Sequence, residues 1–220
     1  MRLEKASHKA INYALMNFHY AKKVAPRASD SAFSVFNDNN EWCGVICFGL
    51  GANPNIHSPF GLKAGEVIEL IRVALNGKQS STSKVVSIGL KLIKKNNPLI
   101  KLIVSFADKG QEHVGTIYQA TNWYFIQDIK SSNTQYFINN EWRHSKSIKP
   151  HIKKIVPKRK ASGKYKYIYP LDKSLIPLCE SLRKPYPKKC DSSITANAAT
   201  FQVVEEGQHH PIAQIINNAI

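Results

Sequence analysis

EVIELIRVALNGKQSSTSKVVSIGLKLI, residues 66–93, is the stretch that decides the fold. Periodicity alone allows helix or strand over residues 66–75, but Val67, Ile68, Ile71 and Val73 are branched at Cβ and favour a strand. Asn76, Gly77, Lys78, Gln79 and Ser80 then form a polar loop. Ser81, Thr82 and Ser83 offer N-cap hydroxyls ahead of Val85, Val86, Ile88, Gly89, Leu92 and Ile93, which mark a helix that Asn96-Asn97-Pro98 stops. A loop leading into a helix start presents unpaired amides and the positive end of the helix dipole. With Lys78, Lys84 and the hydroxyls of residues 80–83, that start suits a phosphate or pyrophosphate; an ordinary helix cap is the alternative.

Working outward, Ala6, Ala10, Ile11, Ala14, Leu15 and Phe18 recur at helical spacing, so a first amphipathic helix is expected over residues 5–18. Two β-like runs, 32–36 and 42–50, flank Asn37-Asp38-Asn39-Asn40 and read as a hairpin. Residues 51–65 read as an irregular loop. On the other side, residues 99–106 form a short apolar run, a buried strand ending at Asp108. A helix over residues 113–121 and a second hairpin from 123–129 and 135–138 complete an α/β fold with a mixed sheet. Cys43 and Cys47, four apart on a strand, are expected on one face as small core residues; with Cys179 and Cys190 they suggest neither a disulfide framework nor a zinc knuckle.

After Trp142 the composition shifts. Arg143, Lys146, Lys153, Lys154, Lys158, Arg159, Lys160, Lys164 and Lys166 come with no acid before Asp172, interleaved with Trp142, Tyr165, Tyr167 and Tyr169. That mixture suits phosphate contacts and base stacking, and a solvated face is the alternative. The expected organisation is a catalytic domain over residues 1–145, a basic DNA-contacting arm over 146–189 and a mobile tail over 190–220. The net charge of +16 points to a polyanion, first of all nucleic acid. No apolar run approaches a spanning helix and the N-terminus lacks a signal-peptide stretch, so no membrane partner and a cytoplasmic location are expected.

Three groups could carry chemistry. Asp108 lies at a strand's C-terminal end, where open α/β sheets keep their sites, with His113 and Tyr118 just beyond; a carboxylate base and a phenol acid would serve proton transfer. The alternative is that Asp108 caps the next turn and Tyr118 packs in the core. His19-Tyr20 leaves the first helix as a second candidate. Arg72, charged within an apolar strand, must face solvent, find an anion or pair with an acid such as Glu69. No strong metal motif is visible, and His19, Asp108 and His113 would make a weak site only if the fold gathered them.

The runs Glu69-Leu70-Ile71-Arg72, Val104-Ser105-Phe106-Ala107-Asp108 and His113-Val114-Gly115-Thr116-Ile117-Tyr118-Gln119-Ala120-Thr121-Asn122-Trp123 resemble the Mom family of phage DNA modification proteins. His19-Tyr20, Phe48-Gly49 with Gly51-Ala52, and, more loosely, residues 166–172 and 185–188 fit the same pattern. The resemblance implies a core like that of the GNAT acyltransferases, with acetyl-coenzyme A or a related acyl-coenzyme A near Arg72, Val73, Ser81, Thr82 and Ser83. The glycine-rich loop signature usual in that fold is absent from residues 76–81. It further implies a transferase that places a carbamoylmethyl group on N6 of adenine in double-stranded DNA, shielding phage DNA from restriction. His19, Tyr20, Arg72, Ser83, Asp108 and Tyr118 are its implied site residues: Asp108 or His19 taking the amine proton, Tyr118 donating one, Arg72 and Ser83 holding the donor. Direct acetyl transfer would give N6-acetyladenine, so the family's product requires another activation, a metal or a second nitrogen source. Two alternatives stay open: an acyl-coenzyme A-dependent N-acetyltransferase of a small amine or protein, and a non-enzymatic DNA-binding protein.

Overall fold

Helix α1 (His8–Asn17) begins where the Ser7 hydroxyl accepts the Ala10 amide at 3.2 Å, and it turns Ile11, Ala14 and Leu15 inward. In the computed structural model, which describes residues 1–23 and 31–189, this helix packs on one face of a seven-stranded sheet. The strands are β1 (Arg2–Lys5), β2 (Ser31–Phe36), β3 (Trp42–Gly49), β4 (Val67–Leu75), β5 (Leu102–Asp108), β6 (Tyr124–Ile129) and, from the C-terminal part, β10 (Lys164–Pro170). Their spatial order is β1-β2-β3-β4-β5-β10-β6, antiparallel throughout except for the parallel pair β4–β5. The sheet is therefore the mixed α/β arrangement expected from residues 66–93.

The parallel pair needs a crossover, and α2 (Thr82–Asn96) supplies it. Ser81 caps α2 by accepting the Lys84 amide at 3.2 Å, while Val85, Val86, Gly89, Leu90 and Ile93 face the sheet. Gly89 lets the helix settle closely on Ile46 and Phe48. This face of the sheet holds the largest buried cluster, closed by Tyr118, Trp123 and Tyr167. On the opposite face α1 covers β2, β3 and part of β4; further along, Cys179 of α4 (Ile176–Leu182) joins Ile56, Phe60, Val104 and Ile168.

Several expectations need correcting. Cys43 and Cys47 fall in different buried clusters, because a bulge at Cys43, where Val35 pairs Gly44 and Phe36 pairs Trp42, breaks the alternation. Strand β5 starts at Leu102, leaving Leu99 78% exposed in the turn before it. The helix expected over residues 113–121 shrinks to α3 (Thr116–Gln119), since Glu112 and Gly115 take left-handed backbone angles of +54° and +75°. Residues 123–129 and 135–138 do not pair with each other. The second run becomes β7 (Thr134–Ile138), the middle of a separate sheet between β8 (Glu141–His144) and β9 (Lys158–Lys160).

The largest correction concerns the basic segment. Lys164 and Lys166 alternate with Tyr165 and Tyr167, and the buried Tyr167 and Ile168 draw the segment between β5 and β6 as strand β10. The lysines concealed a period-two strand. Residues Met1–Lys188 consequently form one compact unit with no boundary at 145/146. The tail expected over residues 190–220, including Cys190, lies outside the described residues.

Candidate active site

Strands β4 and β5 stay paired only from Val67↔Leu102 to Leu70↔Ser105, although β4 continues along β3 to Leu75 and β5 along β10 to Asp108. They part beyond Leu70, and β4 carries a bulge at Ile71, where Cys47 pairs Arg72 but Phe48 pairs Leu70. Ser105, fully buried, stands at the fork with its Oγ 2.8 Å from the Leu70 carbonyl and 2.8 Å from the Tyr118 hydroxyl. A carbonyl only accepts, so Ser105 donates to Leu70 and Tyr118 donates to Ser105. Burial pushes the Tyr118 phenol up to about 12, which keeps it protonated at neutral pH. Its ring is held between Trp123 and Tyr167 at 5.1 and 5.0 Å. Gly115 allows this approach: a Cβ there would strike the Tyr167 ring, whose hydroxyl donates to the Val114 carbonyl at 2.6 Å.

Asp108 closes β5 with its two oxygens in different roles. Oδ1 accepts from the Gly110 amide at 2.9 Å and from Ser162 Oγ at 2.8 Å, so the carboxylate does cap the next turn. Oδ2 accepts the Tyr20 hydroxyl at 3.4 Å and has no other hydrogen-bond partner among the described residues. Tyr20 lies against the His19 ring at 4.3 Å and edge-on to His113 at 5.9 Å. Burial, then the Asp108 charge, raise the Tyr20 phenol.

His19 is buried, and its Nδ1 accepts the Ala21 amide at 3.1 Å. Burial first, then the charges of Arg72 and His113, bring its pKa down to about 4. The neutral ring therefore carries its proton on Nε2 and presents a donor, not a base.

Arg72 is the electrostatic centre of this group. Its charge acts on His19, Tyr20, Cys47, Glu69 and Tyr118. One guanidinium nitrogen donates to the Ile71 carbonyl at 2.7 Å, while Nε is buried without a partner. Among the described residues Arg72 and Glu69 form no ion pair. Glu69 is a site residue that the sequence reading treated only as a neutralising partner. Gly51, at φ +68°, comes so close that a Cβ would fall on the Glu69 carboxylate. Burial raises that carboxyl group, against the lowering pull of Lys164 and Arg72. The signal was available: Glu69, like Arg72, is a charge inside an apolar strand.

The remaining candidates separate by place. Lys164 stands opposite Asp108 in register and 5.7 Å over the Phe106 ring; Lys166, its ammonium pKa lowered by burial, lies 4.9 Å over Phe60. Both belong to the site's face and not to an arm. Arg143, Lys146, Lys153, Lys154, Lys158, Arg159 and Lys160 lie on the small sheet and its adjoining turns. Ser81, Thr82 and Ser83 open α2: the Ser81 and Ser83 hydroxyls are 2.9 Å apart and Gln79 donates to Thr82 at 3.1 Å, but no contact links them to Asp108. Val73 is half-buried and packs against the core. Among the described residues, no group of three or more His, Cys, Asp or Glu could hold a metal ion, and no helix is long and apolar enough to cross a membrane.

Comparison with known proteins adds identity to this geometry. A family model described as the Mom protein family matches residues 1–188. The chain is 29% identical over 148 residues to the methylcarbamoylase mom of Escherichia phage Mu, a match spanning 66% of this chain and 60% of that protein. Among solved structures, a spermidine N-acetyltransferase from Vibrio cholerae superposes with a TM-score of 0.49 at 9% identity, over 80% of this chain and 96% of the other. A GNAT-family acetyltransferase from Bacillus anthracis gives 0.48 at 12% identity, over 78% and 96%. These two structural likenesses are too distant to carry a functional argument.

Proposed function

The chain belongs to the Mom protein family, and from that premise we propose that it is a transferase modifying N6 of adenine in double-stranded DNA with a carbamoylmethyl-type group. The observation that carries this reading is the meeting of Tyr20 with Asp108 Oδ2 beside Arg72, on the face that also bears Lys164 and Lys166. Asp108 Oδ2 accepts a proton from the exocyclic amine, while Oδ1 stays fixed by Gly110 and Ser162. His19 contributes an Nε2–H donor, leaving Asp108 as the base. Tyr118, protonated at the fork, would have to release Ser105 Oγ, to which it donates, before handing its proton to a leaving group between β4 and β5. Adenine N6 is half-hidden in a duplex, so the base is flipped toward Asp108.

An acyl-coenzyme A fits the start of α2. Ser81 engages the Lys84 and Val85 amides, leaving those of Thr82 and Ser83 for a pyrophosphate, with Lys78 and Lys84 nearby in sequence. When bound it would supply an activated acyl carbon. Acyl transfer alone would leave a carbonyl on N6, so forming the N6–CH2 bond requires a different activation of that carbon, and the terminal amide requires a nitrogen source.

The test is plasmid DNA from cells expressing wild type or Asp108→Asn, digested with restriction enzymes whose sites contain adenine. Resistance with wild type alone supports the reading. Sensitivity in both, with soluble protein present, shifts the account to a small-amine acetyltransferase or a DNA-binding platform.

A further inference from the structure

The small sheet has two unlike faces. Register sets Tyr136 of β7 between Arg143 of β8 and Lys158 of β9, and Thr134 beside Lys160. Alternation puts these residues on one face and Gln135, Phe137, Trp142 and Arg159 on the other. The second face is satisfied within itself. Arg159 lies 4.2 Å over the Trp142 ring and donates Nε to Gln135 at 3.0 Å, and Trp142 packs on Phe137 at 5.2 Å. Arg159 is thus a brace that ties β9 to β7 and β8, its guanidinium held between Trp142 and Gln135.

The Tyr136 face is different. Among the described residues Lys158 and Lys160 are exposed and pair with no acid, and Arg143 pairs with Glu141 of its own strand, 3.8 Å away at an exposed rim. Residues 130–166 hold eleven Lys and Arg against that one acid, which by register lies on the same face, so Arg143, Lys158 and Lys160 leave the face with a net positive charge. None of the three buried clusters includes a residue of this sheet. With strands about 4.8 Å apart and alternate residues about 6.8 Å apart, the three cations surround Tyr136 at roughly 5 to 10 Å spacing. A sheet with no core of its own, braced on one side by a stacked arginine and left cationic on the other, is shaped for a polyanion.

We propose that the Tyr136 face, through Arg143, Lys158 and Lys160, grips the phosphate backbone of duplex DNA while Arg159 holds the sheet rigid behind it. This deepens the reading of DNA as substrate and rests on it for the choice of duplex DNA over another polyanion. Of the nine basic residues expected to contact DNA the Tyr136 face takes three: Lys164 and Lys166 lie on the face of the candidate site, Arg159 braces the sheet, and Lys146, Lys153 and Lys154 lie in adjoining turns.

The test is binding of the full chain to a short fluorescent duplex over a salt series. The triple variant Arg143→Gln/Lys158→Gln/Lys160→Gln is set against Lys91→Gln/Lys94→Gln/Lys95→Gln, which removes the same charge from the exposed side of α2. Each lost phosphate contact lowers the slope of log affinity against log salt by about 0.9, so the sheet variant should lose about 2 to 3 and the α2 variant little. The double Lys158→Gln/Lys160→Gln should lose about 2 and guards against a folding defect in the triple. Equal losses from sheet and α2 variants, unchanged slopes, or no duplex binding by wild type would overturn the proposal. Because the readout is binding, the outcome does not depend on whether adenine is modified.

Discussion

The Tyr20 hydroxyl reaches Asp108 Oδ2 at 3.4 Å across 88 residues of sequence, joining the end of the first helix to the end of a central strand. Only Oδ2 is open to chemistry, because Gly110 and Ser162 hold Oδ1. Asp108→Asn keeps an acceptor for those two groups and removes the base. Its turnover should fall by about 10² to 10⁴, with thermal stability close to wild type. Tyr20→Phe removes one long hydrogen bond and should cost about tenfold, the equivalent of 1.4 kcal/mol. Comparable losses in both variants would assign the essential proton to the phenol.

His19 makes stability depend on pH. Its imidazole titrates near 6.5 when unfolded and near 4 in the folded chain, through burial first and then Arg72 and His113. As pH falls from about 6.5 to about 4 the unfolded state takes up a proton that the folded state refuses. This contribution to stability is complete above that window and is lost through it. His19→Gln should flatten the fall of Tm over the same range, and an unchanged pH profile would place the His19 pKa elsewhere.

Glu69 is expected to separate stability from activity. Burial raises its carboxyl pKa, so the folded state is favoured when the group is protonated and loses that advantage as pH rises through the folded pKa. Glu69→Gln, which keeps the shape beside Gly51, should be at least as stable as wild type at neutral pH and clearly less active. A several-degree drop in Tm at neutral pH would show that its charge supports the fold through Arg72 or Lys164.

Tyr118→Phe removes the donor to Ser105 while retaining the ring between Trp123 and Tyr167. The stability cost should be about 1 kcal/mol, since Ser105 still donates to Leu70. If Tyr118 is the proton donor, turnover falls by about 10² to 10⁴. Activity within twofold of wild type would leave Tyr118 a packing residue at the fork.

Much of this was legible in the sequence, and what was hidden has definite causes. The capped α2 and the strand before it follow from Ser81 and the branched residues of β4, and Asp108 at the end of β5 follows from the turn after an apolar run. His19 and Tyr20 could be named through family resemblance, but no local pattern shows that α1 brings them to Asp108. Bulges at Cys43 and Ile71 swap faces without any mark in composition. Strand β10 was masked because Lys164 and Lys166 snorkel over Phe106 and Phe60, making a sheet strand look like a solvated arm. The small sheet depends on pairing between β7 and β9, about twenty residues apart, which short-range turn signals do not encode.

The most direct measurement is mass spectrometry of nucleosides from plasmid DNA carried in cells expressing wild type or Asp108→Asn. A deoxyadenosine heavier by the carbamoylmethyl increment, present with wild type and absent with the variant, is the predicted result. Unmodified deoxyadenosine in both, with soluble and folded protein, would contradict the assignment of this chain as a DNA adenine transferase; the increment persisting with Asp108→Asn would contradict Asp108 as its base.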